Sequence, residues 1–174
     1  MKLLAISIYG NGILLNRAKD LSSVGYFIRK NVSELIDFTC STLVDNVRSD
    51  TIITKDNYNV HLVVHCNRTV CIVTDDEYPS DVARRLAQNI LSTTDPNLED
   101  LLRRGSDPNE IDSMHSIRTE LDETRQVIKK NIELVLQRGT NLDALVAQSE
   151  ELSFSSKAFY QGTRKINSNC CNLQ

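Results

Sequence analysis

The sequence predicts an α+β fold: a five-stranded antiparallel sheet flanked by helices, followed by a long coiled-coil helix. Three observations carry this reading. β-branched runs are joined by turn dipeptides in the first part of the chain, amphipathic stretches lie between them, and an apolar heptad stripe fills the remainder. Strands joined by short turns pair antiparallel, and helices then cover the sheet.

Leu3 to Tyr9 and Ile13 to Lys19 flank Gly10-Asn11-Gly12, an Asn-Gly hairpin signal. After Asp20-Leu21-Ser22-Ser23, apolar residues at Leu35, Ile36, Phe38, Leu43, Val44 and Val47 follow helical spacing. Thr51 to Thr54, Tyr58 to Cys66 and Val70 to Thr74 are rich in β-branched and aromatic residues, with Asp-Asn and Asn-Arg turns between them. Pro79-Ser80-Asp81 opens a helix expected over Val82 to Leu91. Composition turns polar near residue 95. The expected organisation is a domain over 1–104, a linker over 105–110, a coiled-coil segment over 111–168 and a tail over 169–174.

The stripe is read by stepping three and four residues from Arg138. Backwards it passes Val135, Asn131, Ile128, Thr124, Leu121, Ile117 and Met114. Forwards it passes Leu142, Leu145, Ser149, Leu152, Ser156, Phe159, Thr163 and Ile166. Most are apolar, and the positions between are mostly polar, which is an a/d seam. An arginine within a seam is costly unless other helices bring acceptors to its layer. Small and polar members such as Ser149, Ser156 and Thr163 fit four different helices better than a homodimer. Gly139 weakens the isolated helix by about 1 kcal/mol. The competing reading is a helix packed on its own domain, with Arg138 reaching solvent; the length and regularity of the seam favour the bundle.

The net charge of −3 gives no basic face for nucleic acid. No apolar run approaches the ~18 residues of a spanning helix, and the N-terminal run meets Gly10-Asn11-Gly12 with no cleavage signal. Cys40, Cys66 and Cys71 sit in apolar surroundings and are expected as buried free thiols. His61 and His65 lack further ligands at metal spacing and are expected at a solvent edge. Asp75-Asp76-Glu77 is expected as a solvated turn. No metal site, cofactor motif or nucleophile motif is present, so the chain is not expected to be an enzyme. The ending Cys170-Cys171-Asn172-Leu173-Gln174 places Cys171 in a prenylation box, with a terminal Gln that favours farnesyl, although Asn172 is not aliphatic. Cys170 is then the expected palmitoylation site, since stable anchoring takes two chains.

Several stretches carry a family resemblance. Glu120-Leu121-Asp122-Glu123-Thr124, Val135-Leu136-Gln137-Arg138-Gly139, Leu142-Asp143, Leu145-Val146 and Ser155-Ser156-Lys157-Ala158-Phe159-Tyr160 resemble an R-SNARE motif of the synaptobrevin family. Asp20-Leu21-Ser22 with Gly25-Tyr26-Phe27, and Thr74-Asp75 with Glu77-Tyr78-Pro79, resemble a longin (profilin-like) domain. Together with the tail they resemble the prenylated longin R-SNAREs of the YKT type. Two departures are Asn131, polar for a layer, and 92–109, short for the last longin helices.

The resemblance implies that Arg138 is the central-layer arginine, facing glutamines of three Q-SNAREs in a four-helix bundle, with the other seam residues as layers. It implies vesicle fusion in ER–Golgi, Golgi and vacuolar or endosomal transport, and disassembly by the SNARE disassembly machinery. It places the chain in the cytoplasm and on the cytoplasmic face of those membranes, held by lipid. It also implies a groove on the domain, with Phe38 at it, that covers the seam in an autoinhibited form. The alternative is a longin-type trafficking adaptor or tethering subunit, which needs neither the arginine nor the lipidated end.

Overall fold

The computed structural model describes residues 1–106, 128–136 and 141–170, without the side chains of Ile128 and of 165–170. β1 (Leu3–Gly10) and β2 (Ile13–Lys19) form the first hairpin. Its two-residue turn holds Asn11 at φ 52° and Gly12 at φ 81°, the left-handed geometry that matches strand twist. A 3₁₀ turn (Tyr26–Ile28) leads into α1 (Arg29–Asn46). β3 (Thr51–Lys55), β4 (Tyr58–His65) and β5 (Arg68–Asp75) follow as a meander. Asp56 and Cys66, with φ 51° and 52°, begin its two turns. α2 (Ser80–Ser92) and α3 (Leu98–Arg104) complete the domain.

Both faces of the sheet are covered, so β5 alternates between two cores. Val70 and Ile72 join Val82, Leu86, Ile90 and Leu98 from α2 and α3, whereas Cys71 and Val73 join Cys40, Leu43 and Val44 from α1. Tyr78 donates to the Gly105 carbonyl at 2.7 Å, and burial pushes its phenol up to about 12. Cys71 donates its thiol to the Cys40 sulfur at 2.9 Å, a contact that joins α1 to the sheet.

The described sheet has six strands in the order β2-β1-β5-β4-β3-β6, where five were expected. β6 (Ile128–Asn131) lies within the stretch read as coiled coil and pairs in parallel with β3, Thr51 opposite Ile128 through Thr54 opposite Asn131. The other pairings are antiparallel as predicted. The segment continues as α4 (Ile132–Val135), α5 (Leu142–Gln148) and α6 (Phe154–Cys170). The continuous helix expected over 111–168 is therefore broken in this state, because the domain offers an open β3 edge and an apolar face that a straight rod could not follow.

Two smaller expectations are also corrected. His61 is buried, with Nε2 3.1 Å from the Thr74 hydroxyl, because α2 covers that face of β4. Burial lowers its pKa to about 4. Cys66 is exposed, because it occupies a hairpin turn.

Candidate functional site

The site is the surface on which the C-terminal segment docks. α1 presents Leu35, Ile36 and Phe38, which pack half-buried against the core on that face. Ile132, Leu136, Leu142, Val146 and Leu152 from the segment are buried in the same core, and Val135, Leu145 and Tyr160 pack around it. Ile132 is only 1% exposed. The β3 edge supplies the second half of the seat, since its main-chain groups are satisfied by β6 and its side chains by α4.

Polar contacts fix the register. Asn131 and Asn141 begin α4 and α5, and their side-chain carbonyls accept from Glu133 N–H at 3.1 Å and Ala144 N–H at 2.7 Å. The Ser149 hydroxyl accepts from the N–H groups of Glu151 and Leu152 at 3.2 and 3.3 Å. One carboxylate oxygen of Glu34 on α1 accepts the Ser153 N–H at 3.0 Å and the Ser156 hydroxyl at 2.7 Å. These bonds, that from Ser153 foremost, hold the Glu34 carboxyl below the usual carboxylate range. Lys55 faces Glu133 at 3.8 Å. Tyr160 donates to Asp143 at 2.8 Å, and Arg164 pairs with the same carboxylate. Burial pushes the Tyr160 phenol up to about 12.

Beside the docked segment lies a groove of about 870 Å³, walled by residues such as Val32, Leu35, Ile53, Val60, Phe159 and Tyr160. Among the described residues, no cluster of His, Cys, Asp and Glu could hold a metal ion, and no helix is long and apolar enough to cross a membrane.

The structure gathers part of the predicted seam. Leu142, Leu152 and Ser156 are buried, Val135 and Leu145 are half-buried, and Phe159 and Thr163 line the groove. Ile128 lies in β6, Asn131 caps α4, and Ser149 forms a turn. Phe38 lies at the docking face. Ile166 and Cys170 are placed in α6 by their backbone. Met114, Ile117, Leu121, Thr124, Arg138 and Cys171 fall outside the described residues. Sequence reasoning missed Glu34, Ile132, Leu136 and Val146. The signal for the last three was present, since they are apolar residues one step off the seam, at the helical spacings Ile132–Leu136 and Leu142–Val146.

The synaptobrevin family model matches residues 113–173, the docked segment with its flanks. Similarity extends to the whole chain. It is 37% identical to the synaptobrevin homolog YKT6 of Debaryomyces hansenii, over 90% of each chain. It is 36% identical to that of Eremothecium gossypii over 98% of each. The Schizosaccharomyces pombe protein is 34% identical over 91% of this chain and 90% of its own. The chain therefore belongs to the synaptobrevin family as an R-SNARE of the YKT6 type, acting in vesicle trafficking through a fold consistent with a longin domain.

Proposed function

We propose that the chain fuses membranes by zippering 111–168 with three Q-SNARE helices, and that the docked form is its inhibited state. Arg138 forms the central layer, its guanidinium donating to neutral glutamine amides. The remaining a/d residues, Met114 to Ile166, form the other layers. Burial of their apolar surface, at roughly 25 cal/mol per Å², drives assembly. The chain itself catalyses no covalent step.

Cys171 carries a prenyl group and Cys170 a palmitate, so that one chain gives exchange with cytoplasm and two give stable anchoring on Golgi, ER and endosomal-vacuolar membranes. The groove beside α1 receives the prenyl chain in the cytoplasmic form. After fusion the bundle is a substrate of the SNARE disassembly machinery.

The observation that carries the reading is the burial of Leu142 and Leu152 on the domain. The same side chains lie on the seam, so docking and zippering compete for them. The test is mixing of the full chain with Q-SNARE helices, followed by circular dichroism. A gain of helix with loss of docked contacts supports the reading, and absence of any complex overturns it.

A further inference from the structure

The proposed docked–open equilibrium leaves a question: why does the seam carry polar residues where a bundle gains from apolar ones? We infer that these residues are a folding code for the docked state. Asn131, Asn141 and Ser153 stand at the starts of α4, α5 and α6, Ser149 ends α5 and holds the turn after it, and Glu34 accepts the Ser153 N–H.

The geometry is consistent at every break. Each of the four side chains accepts an N–H two or three residues ahead. In a continuous helix those N–H groups are already bonded to carbonyls four residues back, so the same side chains have nothing to accept. There they are only poorer helix formers than alanine. Two of them, Asn131 and Ser149, occupy a/d positions, where a polar group weakens bundle packing. The chain forgoes layer packing at points where the docked state needs a helix start, at Asn131, or a turn that ends a helix, at Ser149.

The apolar pattern is coded twice in the same way. Ile132, Leu136 and Val146 are buried in the docked state and lie off the seam. Leu142 and Leu152 serve both registers. α6 begins where Ser153 N–H and the Ser156 hydroxyl meet the Glu34 carboxylate, a negative charge at the end of the helix that favours it. Asn31 accepts from the Ser155 and Ser156 hydroxyls at 3.1 and 3.4 Å and completes this seat.

The inference is tested in the full chain with Asn131→Ala/Ser149→Ala, set against Asn131→Asp/Ser149→Thr, which keeps capping ability. The readouts are the rate of assembly with Q-SNARE helices and the radius of the free chain by small-angle scattering. Each lost cap shifts the equilibrium towards the open form about five-fold, so the double alanine variant assembles about 25-fold faster and is more expanded. The Asp/Thr variant keeps the wild-type rate and radius. An alanine variant with unchanged rate and radius overturns the inference. So does an Asp/Thr variant that opens as far as the alanine one, since the residues would then act by something other than capping. If wild type forms no complex with Q-SNARE helices, the proposed function fails, while the radius comparison still decides the capping code.

Discussion

Ile132 offers the cleanest separation of the two registers. It is 1% exposed in the docked form and sits one residue off the a/d seam. Ile132→Ala removes three carbons from a filled site, at about 0.8 kcal/mol each, or roughly 2.4 kcal/mol of transfer energy. The cavity left behind raises the cost towards ~4 kcal/mol, since the β3 edge and α1 cannot both collapse inward. The docked state is therefore weakened about 50- to 700-fold, while the bundle layers keep their side chains. Assembly with Q-SNARE helices, followed by stopped-flow fluorescence, should accelerate by that factor until the open form dominates. Leu142→Ala is the counterpart, because it weakens docking and the bundle together. An Ile132→Ala rate within about two-fold of wild type, with an unchanged scattering radius, would refute the assignment of Ile132 to the latch.

Phe38→Glu adds charge beside the docked segment and should expand the free chain in gel filtration; equal radii for a well-folded variant would remove Phe38 from the latch. Arg138→Glu places a carboxylate among amide oxygens, so Q-SNARE assembly should fail while the domain melts normally; normal assembly kinetics would count against the central layer. Cys171→Ser should leave the protein wholly in the cytoplasmic fraction, and Cys170→Ser should give only exchanging association; unchanged fractionation of Cys171→Ser would sink the anchor assignment. His61 has a folded pKa of about 4 against 6.5 when free. The unfolded chain thus binds the extra proton, and stability is full above pH 6.5 and falls between there and pH 4, by about 3 kcal/mol. Urea melts at pH 7 and pH 4.5 should show this loss, and His61→Gln should reduce it.

The domain was legible because its information is local. Asn11-Gly12 demands the hairpin, and the unbroken apolar run Val70-Cys71-Ile72-Val73 marks a strand covered on both faces. β6 was not legible, because Ile128-Lys129-Lys130-Asn131 has no strand preference of its own and becomes extended only on the β3 edge. His61 was read as edge-exposed because the cover over it comes from α2, far along the chain. Cys66 was read as buried because its neighbours are apolar, although its turn position decides its exposure. In the C-terminal segment the sequence is legible twice, and the stronger heptad signal hid the weaker one. Asn131 looked like a defective layer until its side chain was seen at the start of α4.

That double coding constrains the energetics of the switch. Docking is intramolecular, so it competes at an effective concentration of order millimolar, and modest contact energy suffices to hold it. The proposed bundle would have to overcome this with three helices from other chains, at far lower concentrations. It would do so by length, since the a/d pattern read in the sequence from Met114 to Ile166 extends well beyond the five buried anchors of the docked form. A docked state that used the same a/d residues throughout would need every layer released before any partner could bind. With Ile132, Leu136 and Val146 as anchors outside the seam, Val135 and Leu145 remain half-buried at its margin and can begin pairing first. Under the proposed function, release of the latch and growth of the bundle would then proceed in steps along the segment, each below the cost of undocking the whole.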